Sequence, residues 1–318
     1  MKKPLRVIVI LVVIVLLLGG GAIGYISIRG IPVYETKPVV FSAEITPERV
    51  VRGKKLSSML CQHCHFDPKT QAFTGKFVAD GPPEFGRAFS ANITQSKEHG
   101  IGNWTEAEIA YLLRTGVKKD GGYAPPWMPK LPLIADEDLK SIIAFLRSDD
   151  PMVAANETPD IPCEPSLLTK VLCTVAFKPL PYPEGAYTVP DTADHVQLGR
   201  YLSNNVLACY ECHSADFKTN NQLAPEQSPG FYGGGNLMLD LDGKPILTSN
   251  ITPDNENGIG KWSRDQFIGA VMYGRKPDGT QLRYPMAPYV ALDSLEAGAI
   301  YDYLKTIPPI NKKVTAQK

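Results

Sequence analysis

Hydrophobic positions along the chain first form one unbroken run and then fall into helical stripes. Val7 to Ile28 is 22 residues without a charge, preceded by Lys2, Lys3 and Arg6 and followed closely only by Arg29. As a helix it would be about 33 Å long, enough to cross a bilayer. The bias of basic residues predicts a cytoplasmic N-terminus, with everything beyond Arg29 on the periplasmic side of the inner membrane. A cleaved signal peptide is the competing reading, with Val7 to Leu18 as its apolar region and the small residues from Gly19 to Gly24 offering cleavage sites. Ile23, Tyr25, Ile26 and Ile28 prolong the run and no Ala-x-Ala site interrupts it, which favours an anchor over residues 1–30. No cysteine follows closely to carry a lipid.

Beyond a short connection over 31–44, the stripes come in two matching sets. Thr46 is a candidate N-cap with Pro47 in the first helical position, and this helix should run to about Leu60. Its counterpart is roughly Ala193 to Asn205, with Val50, Gly53 and Leu56 reappearing as Val196, Gly199 and Leu202 at an offset of 146. A middle helix begins at Thr105 with Glu108, or Ser263 with Gln266, the spacing of a capping box. Its apolar face is Ile109, Leu112 and Leu113, or Phe267, Ile268 and Val271. A closing helix spans Asp136 to Leu146 and Ser294 to Leu304, with Ile142, Ile143 and Leu146, or Ile300, Tyr303 and Leu304, as its buried stripe.

From Asn92 to Leu146 the repeat runs without insertion at an offset of 158. Asn92-Ile93-Thr94 recurs as Asn250-Ile251-Thr252, Gly100-Ile101-Gly102 as Gly258-Ile259-Gly260, Trp104 as Trp262, Gly116 as Gly274, and Asp120-Gly121 as Asp278-Gly279. Upstream, Cys61-Gln62-His63-Cys64-His65 pairs with Cys209-Tyr210-Glu211-Cys212-His213 at an offset of 148, so the second copy gains ten residues between these motifs. The gain is assigned to Asn220–Thr248, where Leu239 to Lys244 reads as a hairpin and Gly233-Gly234-Gly235 as turn chemistry. No Lys with Ser or Thr closes that glycine run as a phosphate loop requires. The pattern predicts a mainly α chain with domains over 45–149 and 191–310, a Pro-rich linker over 150–190 and a tail over 311–318.

Composition narrows the function. Hydrophobic residues make up 43% of the chain, which is incompatible with a disordered protein. Lys plus Arg and Asp plus Glu are both 33, leaving no basic excess to hold nucleic acid. The second copy carries more acidic than basic residues, which would suit a basic docking surface on a redox partner.

The chemistry lies in the two CxxCH motifs. Two thiols three positions apart on a helical turn can each add to a vinyl group of one porphyrin, and the following His is then placed beneath the iron. Zinc is the alternative, but a structural zinc wants four protein ligands, and each motif offers three. Met128 and Met286, at the 158 offset in Pro-rich loops, are candidate sixth ligands, a soft thioether favouring reduced iron; the alternative for each is core packing. Met59, Met152, Met238 and Met272 lack such a match. His63, His99 and His195 read as surface or structural residues because none recurs. Trp104 and Trp262 fit either a haem edge or the core, and Tyr123 and Arg275 are weak propionate partners. The two remaining cysteines, Cys163 and Cys173, should pair in an exported protein, closing a loop around Leu167, Leu168 and Val171; two free thiols are the alternative.

The order CxxCH, Asn-Ile-Thr, Gly-Ile-Gly-x-Trp, Asp-Gly, Met among prolines and closing helix stands in both copies. On these motifs the chain resembles the class I cytochromes c, and in particular the cytochrome subunits of membrane-bound alcohol and gluconate dehydrogenases, over roughly 45–148 and 193–306. The resemblance implies two tandem class I cytochrome c domains after a transmembrane helix and two covalently bound haem c groups. Cys61, Cys64, His65 and Met128 would hold one, and Cys209, Cys212, His213 and Met286 the other. Such subunits typically carry three haem domains, and this chain departs from them in having two. The implied role is electron transfer rather than catalysis, with a dehydrogenase, another cytochrome or a terminal oxidase as partner. Two other classes remain: a dihaem peroxidase, which needs an open sixth position on one iron, and a copper or zinc module.

Overall fold

The computed structural model describes residues 3–78 and 83–314. Helix α1, Lys3–Arg29, has none of its apolar window buried against protein and touches the rest of the chain near its C-terminal end, where Ser27 O accepts from Lys170 Nζ. The first copy then builds α2 (Pro47–Leu60), α3 (Gln62–His65), α4 (Glu106–Thr115) and α5 (Asp136–Leu146). After the short helix α6 (Leu167–Val175), the second copy builds α7 (His195–Arg200), α8 (Cys209–His213), α9 (Arg264–Tyr273) and α10 (Ser294–Leu304). The chain is mainly helical; strands β1 (Gly86–Arg87) and β2 (Glu164–Pro165) pair antiparallel, as do β3 (Leu237–Leu239) and β4 (Pro245–Leu247).

The helix boundaries follow their caps. Thr46 Oγ1 accepts from Arg49 N at the start of α2. Thr105 with Glu108 and Ser263 with Gln266 form complete capping boxes on α4 and α9, and both helices end at a left-handed glycine, Gly116 or Gly274. The expected stripes are inside: Ile142, Ile143 and Leu146 on α5, and Ile300, Tyr303 and Leu304 on α10.

In each copy the first helix crosses the last at a glycine. A Cβ on Gly53 would sit 1.8 Å from Ser141 O of α5, and one on Gly199 would sit 1.8 Å from Ala299 O of α10. The four residues are two matched pairs, so both copies use the same backbone-to-backbone contact, and only glycine permits it. Leu56, Phe73, Leu139 and Phe145 close the core around the first crossing, all at most 1% exposed.

The copies meet through the same helices. Arg52 on α2 donates to both oxygens of Asp138 on α5 and to Oε1 of Glu296 on α10, each at 2.9 Å. Asp138 and Glu296 are counterparts in the repeat, so two equivalent carboxylates share one guanidinium. Burial opposes the charge on Arg52, but the hydrogen bonds and charge of Asp138 and Glu296 outweigh it, and its pKa is raised. Lys55 Nζ binds Glu296 at 2.6 Å and Asp293 at 3.1 Å. Its counterpart Tyr201 donates to Asp138 at 2.7 Å and accepts from Ala135 N, the counterpart position of Asp293, at 3.1 Å. The interface is therefore pseudo-symmetric, with each copy's first helix reaching the other's last.

Three expectations need revision and a fourth is narrowed. The first helix of the second copy continues beyond α7 as a π-helical segment, Tyr201–Val206, closed by Leu207 N to Leu202 O at 2.8 Å. That wide turn, followed by Ala208 at φ +46°, lies where the second copy has two extra residues before its CxxCH. The net ten-residue gain lies partly in the assigned Asn220–Thr248 segment but ahead of its hairpin: β3 and β4 stand where the first copy has the Phe77 to Phe89 bridge, one residue is lost between Gly234 and Asn250, and eleven are added between His213 and Gly234. There Tyr232, wholly buried, donates to Asn204 Oδ1 at 2.6 Å across the π segment.

The 150–190 segment is Pro-rich but bound along its length. Asn92 Nδ2 donates to Asn156 O and Thr158 O, β2 pairs with β1, Leu180 N donates to Thr115 O, and Asp136 N to Tyr187 O. Cys163 and Cys173 are free thiols rather than a disulfide. Cys163 Sγ lies 3.2 Å from Phe89 O and 3.3 Å from Phe89 N, held there by the adjoining β1–β2 pairing. Cys173 is buried on α6, where Lys130 and Lys178 act on it. The loop expected between them is the helix itself, capped by Ser166, and strand and helix commit the two sulfurs to different surroundings.

Substituting Gly53 or Gly199 by Ala must separate two backbones, and each variant is expected to lose roughly 3 kcal/mol of stability in chemical denaturation. Arg52→Met leaves two nearly buried carboxylates without their cation; a comparable loss is expected, and a further Asp138→Asn change should recover part of it.

Candidate haem sites

Each CxxCH occupies a single helical turn directly after its copy's first helix. In α3, His65 N donates to Cys61 O at 2.8 Å, bringing Cys61, Cys64 and His65 onto one turn; Cys209, Cys212 and His213 share α8 in the same way. Burial raises the thiol pKa of Cys61 and Cys209 to about 12 and that of Cys212 to about 11. For none of the three is a cation among the causes, so these are neutral thiols rather than the cation-activated thiolates of a reactive cysteine site.

Both histidines are fixed by the same second contact. His65 Nδ1 lies 2.7 Å from Ala91 O, and His213 Nδ1 lies 2.8 Å from Ser249 O. A carbonyl oxygen only accepts, so Nδ1 carries the proton and Nε2 presents its lone pair, the tautomer an iron ligand needs. Burial lowers the pKa of both rings, the carbonyl contact opposing it, which keeps each imidazole neutral. Each histidine's own carbonyl also accepts from a left-handed glycine, Gly75 at 2.9 Å or Gly234 at 2.7 Å.

The repeated motifs serve these contacts. Ala91 and Ser249 immediately precede the two Asn-Ile-Thr turns. Asn92 Oδ1 accepts from Thr94 N and Oγ1 at 2.9 and 2.7 Å, and Asn250 Oδ1 accepts from Thr252 N and Oγ1 at the same distances. Ile101 N then donates to Thr94 O, and Ile259 N to Thr252 O, both at 2.9 Å. The Gly-Ile-Gly turns are thereby stitched to the Asn-Ile-Thr turns.

Met128 and Met286 sit in equivalent turns, each with its own N–H donating at 3.0 Å to a carbonyl three residues back, Pro125 O or Arg283 O. Both loops are tied to the middle helix at two points. Ala124 N bonds Gly116 O and Leu131 N bonds Leu113 O; in the second copy Leu282 N bonds Gly274 O and Tyr289 N bonds Val271 O.

The two sites face each other. The ring of His63, between the first pair of thiols, lies 6.4 Å from that of Tyr284 in the second Met loop. Glu211, between the second pair, acts electrostatically on Lys130, two residues beyond Met128. Burial lowers the pKa of Lys130 to about 7, with Glu211 opposing. His63 is exposed, as the sequence reading placed it, but that reading passed over its neighbour Tyr284 and over Glu211 and Lys130. Their signal was only that they flank matched residues.

The weaker candidates take structural positions. Trp104 and Trp262 are half-buried against the core, their carbonyls held by Arg147 and by Tyr301. Tyr123 donates to Lys178 O in the 150–190 segment at 3.3 Å, and His195 pairs with Asp302 at 3.4 Å. His99 lies with Glu98 and Glu157 on the surface, and Arg275 is exposed.

Replacing Asn250 by Ala would strand two buried donors of Thr252 and remove the donor to Ile310 O. A loss of about 3 kcal/mol is expected in denaturation, with a smaller loss for Asn250→Asp, which keeps the acceptor.

No protein-family model matches the chain. Among curated proteins, it is 30% identical over 276 residues to the cytochrome c subunit of the alcohol dehydrogenase (quinone) of Gluconobacter oxydans, covering 82% of this chain and 55% of that one. It is 30% identical over 265 residues to the fructose dehydrogenase cytochrome subunit of Gluconobacter japonicus, covering 78% and 50%. To the diheme cytochrome c-type protein of Cereibacter sphaeroides it is 27% identical over 261 residues, covering 79% and 82%. The chain spans about half the length of the two dehydrogenase subunits. Over most of its length, this chain is a homologue of cytochrome c proteins.

Proposed function

We propose that the chain is a membrane-anchored electron-transfer protein holding two haem c groups, one in each of two tandem class I cytochrome c domains over 45–149 and 191–310. Cys61 and Cys64 would attach the first haem, with His65 and Met128 as its iron ligands; Cys209, Cys212, His213 and Met286 would hold the second. Haem c supplies a one-electron change at iron. The observation that carries the reading is the paired His Nδ1 to carbonyl contact, at 2.7 and 2.8 Å, which leaves Nε2 unprotonated on the same helical turn as two cysteines in both copies. A zinc module would leave that symmetry and the matched Met turns unexplained. Neither copy is singled out for the open position a peroxidase needs, because both methionines are held in the same turn.

The protein's residues then act by holding. The imidazoles are pinned by carbonyls, and the thioethers are carried in loops tied at both ends. The contact of His63 with Tyr284 sets one attachment motif against the other copy's Met loop, an arrangement that suits a relay in series. The names of the relatives support a dehydrogenase as electron donor. Helix α1 suits an inner-membrane anchor with both haems on the periplasmic side, from which electrons would pass to a terminal acceptor.

Denatured wild-type protein should give two haems per chain in a pyridine haemochrome assay, and Cys61→Ser/Cys64→Ser or Cys209→Ser/Cys212→Ser one each. Absence of covalent haem in the wild type would reject the reading. Met128→Ala and Met286→Ala should each lower one of two midpoint potentials and open one haem to carbon monoxide, leaving the other unchanged.

A further inference from the structure

Helix α6 lies beside the outer end of α1. Lys170 Nζ donates to Ser27 O at 3.0 Å, and the two helices pack side by side. Ser27 is inside the apolar stretch, two residues from its end at Arg29. Whatever rests on Ser27 therefore sits at the level where a bilayer taking α1 passes from acyl chains to headgroups.

The outward face of α6 suits that level. Leu168, Leu172 and Val175 share one side of the helix by their spacing, while Thr169 and Cys173 face the protein and are buried. Leu168 is 46% exposed and Val175 66%, with Leu167 at 43% beside them and Ile161 at 56% just upstream. A solvated helix does not ordinarily present an all-aliphatic face. Along the helix and the residues that follow it the charge has one sign: residues 165–183 contain Lys170 and Lys178 and no carboxylate, while Glu164 just before it is paired with Arg87 at 3.2 Å; such a composition lets lysines reach anionic headgroups from an apolar stem.

We propose that α6 is a second membrane contact, lying in the plane of the bilayer with Leu168, Leu172 and Val175 at the boundary of acyl chains and headgroups and its lysines among lipid phosphates. The first copy is then held against the membrane by α1 and α6 together and cannot swing freely on the 31–44 connection. This rests on the reading of α1 as an uncleaved span, and the test separates the two.

The full chain, carrying Cys163→Ser to remove that exposed thiol, is reconstituted into vesicles of phosphatidylcholine and phosphatidylglycerol. Spin labels are placed singly at Leu168→Cys, Val175→Cys, Leu17→Cys within α1, and Leu241→Cys at the exposed β3–β4 turn. Collision with oxygen is compared with collision with a water-soluble nickel chelate. At 168 and 175 the oxygen-to-nickel ratio should be several-fold above that at 241 and below that at 17. Ratios at 168 and 175 equal to that at 241, with 17 reading lipid, overturn the inference and leave the anchor intact. Protection of 168 from both reagents overturns it in favour of a protein partner. A watery signal at 17 overturns the anchor and the inference together.

Discussion

The rest of each copy depends on how closely its first helix can approach its last. With any side chain at position 53 or 199, the carbonyl of Ser141 or Ala299 would be displaced, and the crossing would open by at least the width of a methyl group. The CxxCH turn begins one residue after α2, so the crossing sets where the thiols and the His65 imidazole stand. The closing helix in turn grips the loop that carries the Trp. Arg147 holds the Ile101 and Trp104 carbonyls, while Lys305 and Tyr301 hold those of Gly260 and Trp262. Frame and site are thus connected through one backbone contact.

Duplication doubled that frame and created a problem of charge. Asp138 and Glu296 occupy equivalent places on the closing helices and are both brought to the seam, where two carboxylates in low dielectric would repel. Arg52 resolves it from one side only, since its own counterpart is Leu198. A second guanidinium would restore formal symmetry at the cost of another buried charge. Lys55 and Tyr201 complete the seam with a cation in one half and a neutral hydroxyl in the other, matching Asp293 in one copy and a bare backbone amide at Ala135 in the other. The asymmetry follows from what each half must satisfy.

Much of this architecture was legible because it is local. Thr46, Thr105 and Ser263 announce helix starts through contacts spanning three residues, and periodicity gives the closing helices to the residue. The offsets exposed the motifs and their order. They could not reveal why Asn-Ile-Thr recurs, because its service to the site is rendered by the carbonyl of the residue before it, Ala91 or Ser249, whose side chain is immaterial. The π segment was hidden for a similar reason: nothing in Tyr201–Val206 forbids an ordinary helix, and the wide turn is imposed by two added residues between fixed ends. The expected disulfide rested on compartment and parity alone. It gave no weight to the strand pairing and the helix that form between Cys163 and Cys173.

The unequal spacing of the two copies indicates which of these restraints the site requires. From His65 to Gly75 is ten residues and from His213 to Gly234 is twenty-one, yet both glycines donate to the histidine carbonyl and both rings keep their contact with the next turn. The added residues in the second copy leave that closed circuit and return to it, burying Tyr232 over the π segment on the way. Length between the anchor points is therefore free, provided that the excursion can pack. What is not free is the pair of main-chain bonds on either side of each histidine. One fixes the backbone from which the ring projects and the other fixes the ring's rotation and tautomer, so together they determine where Nε2 points in both copies.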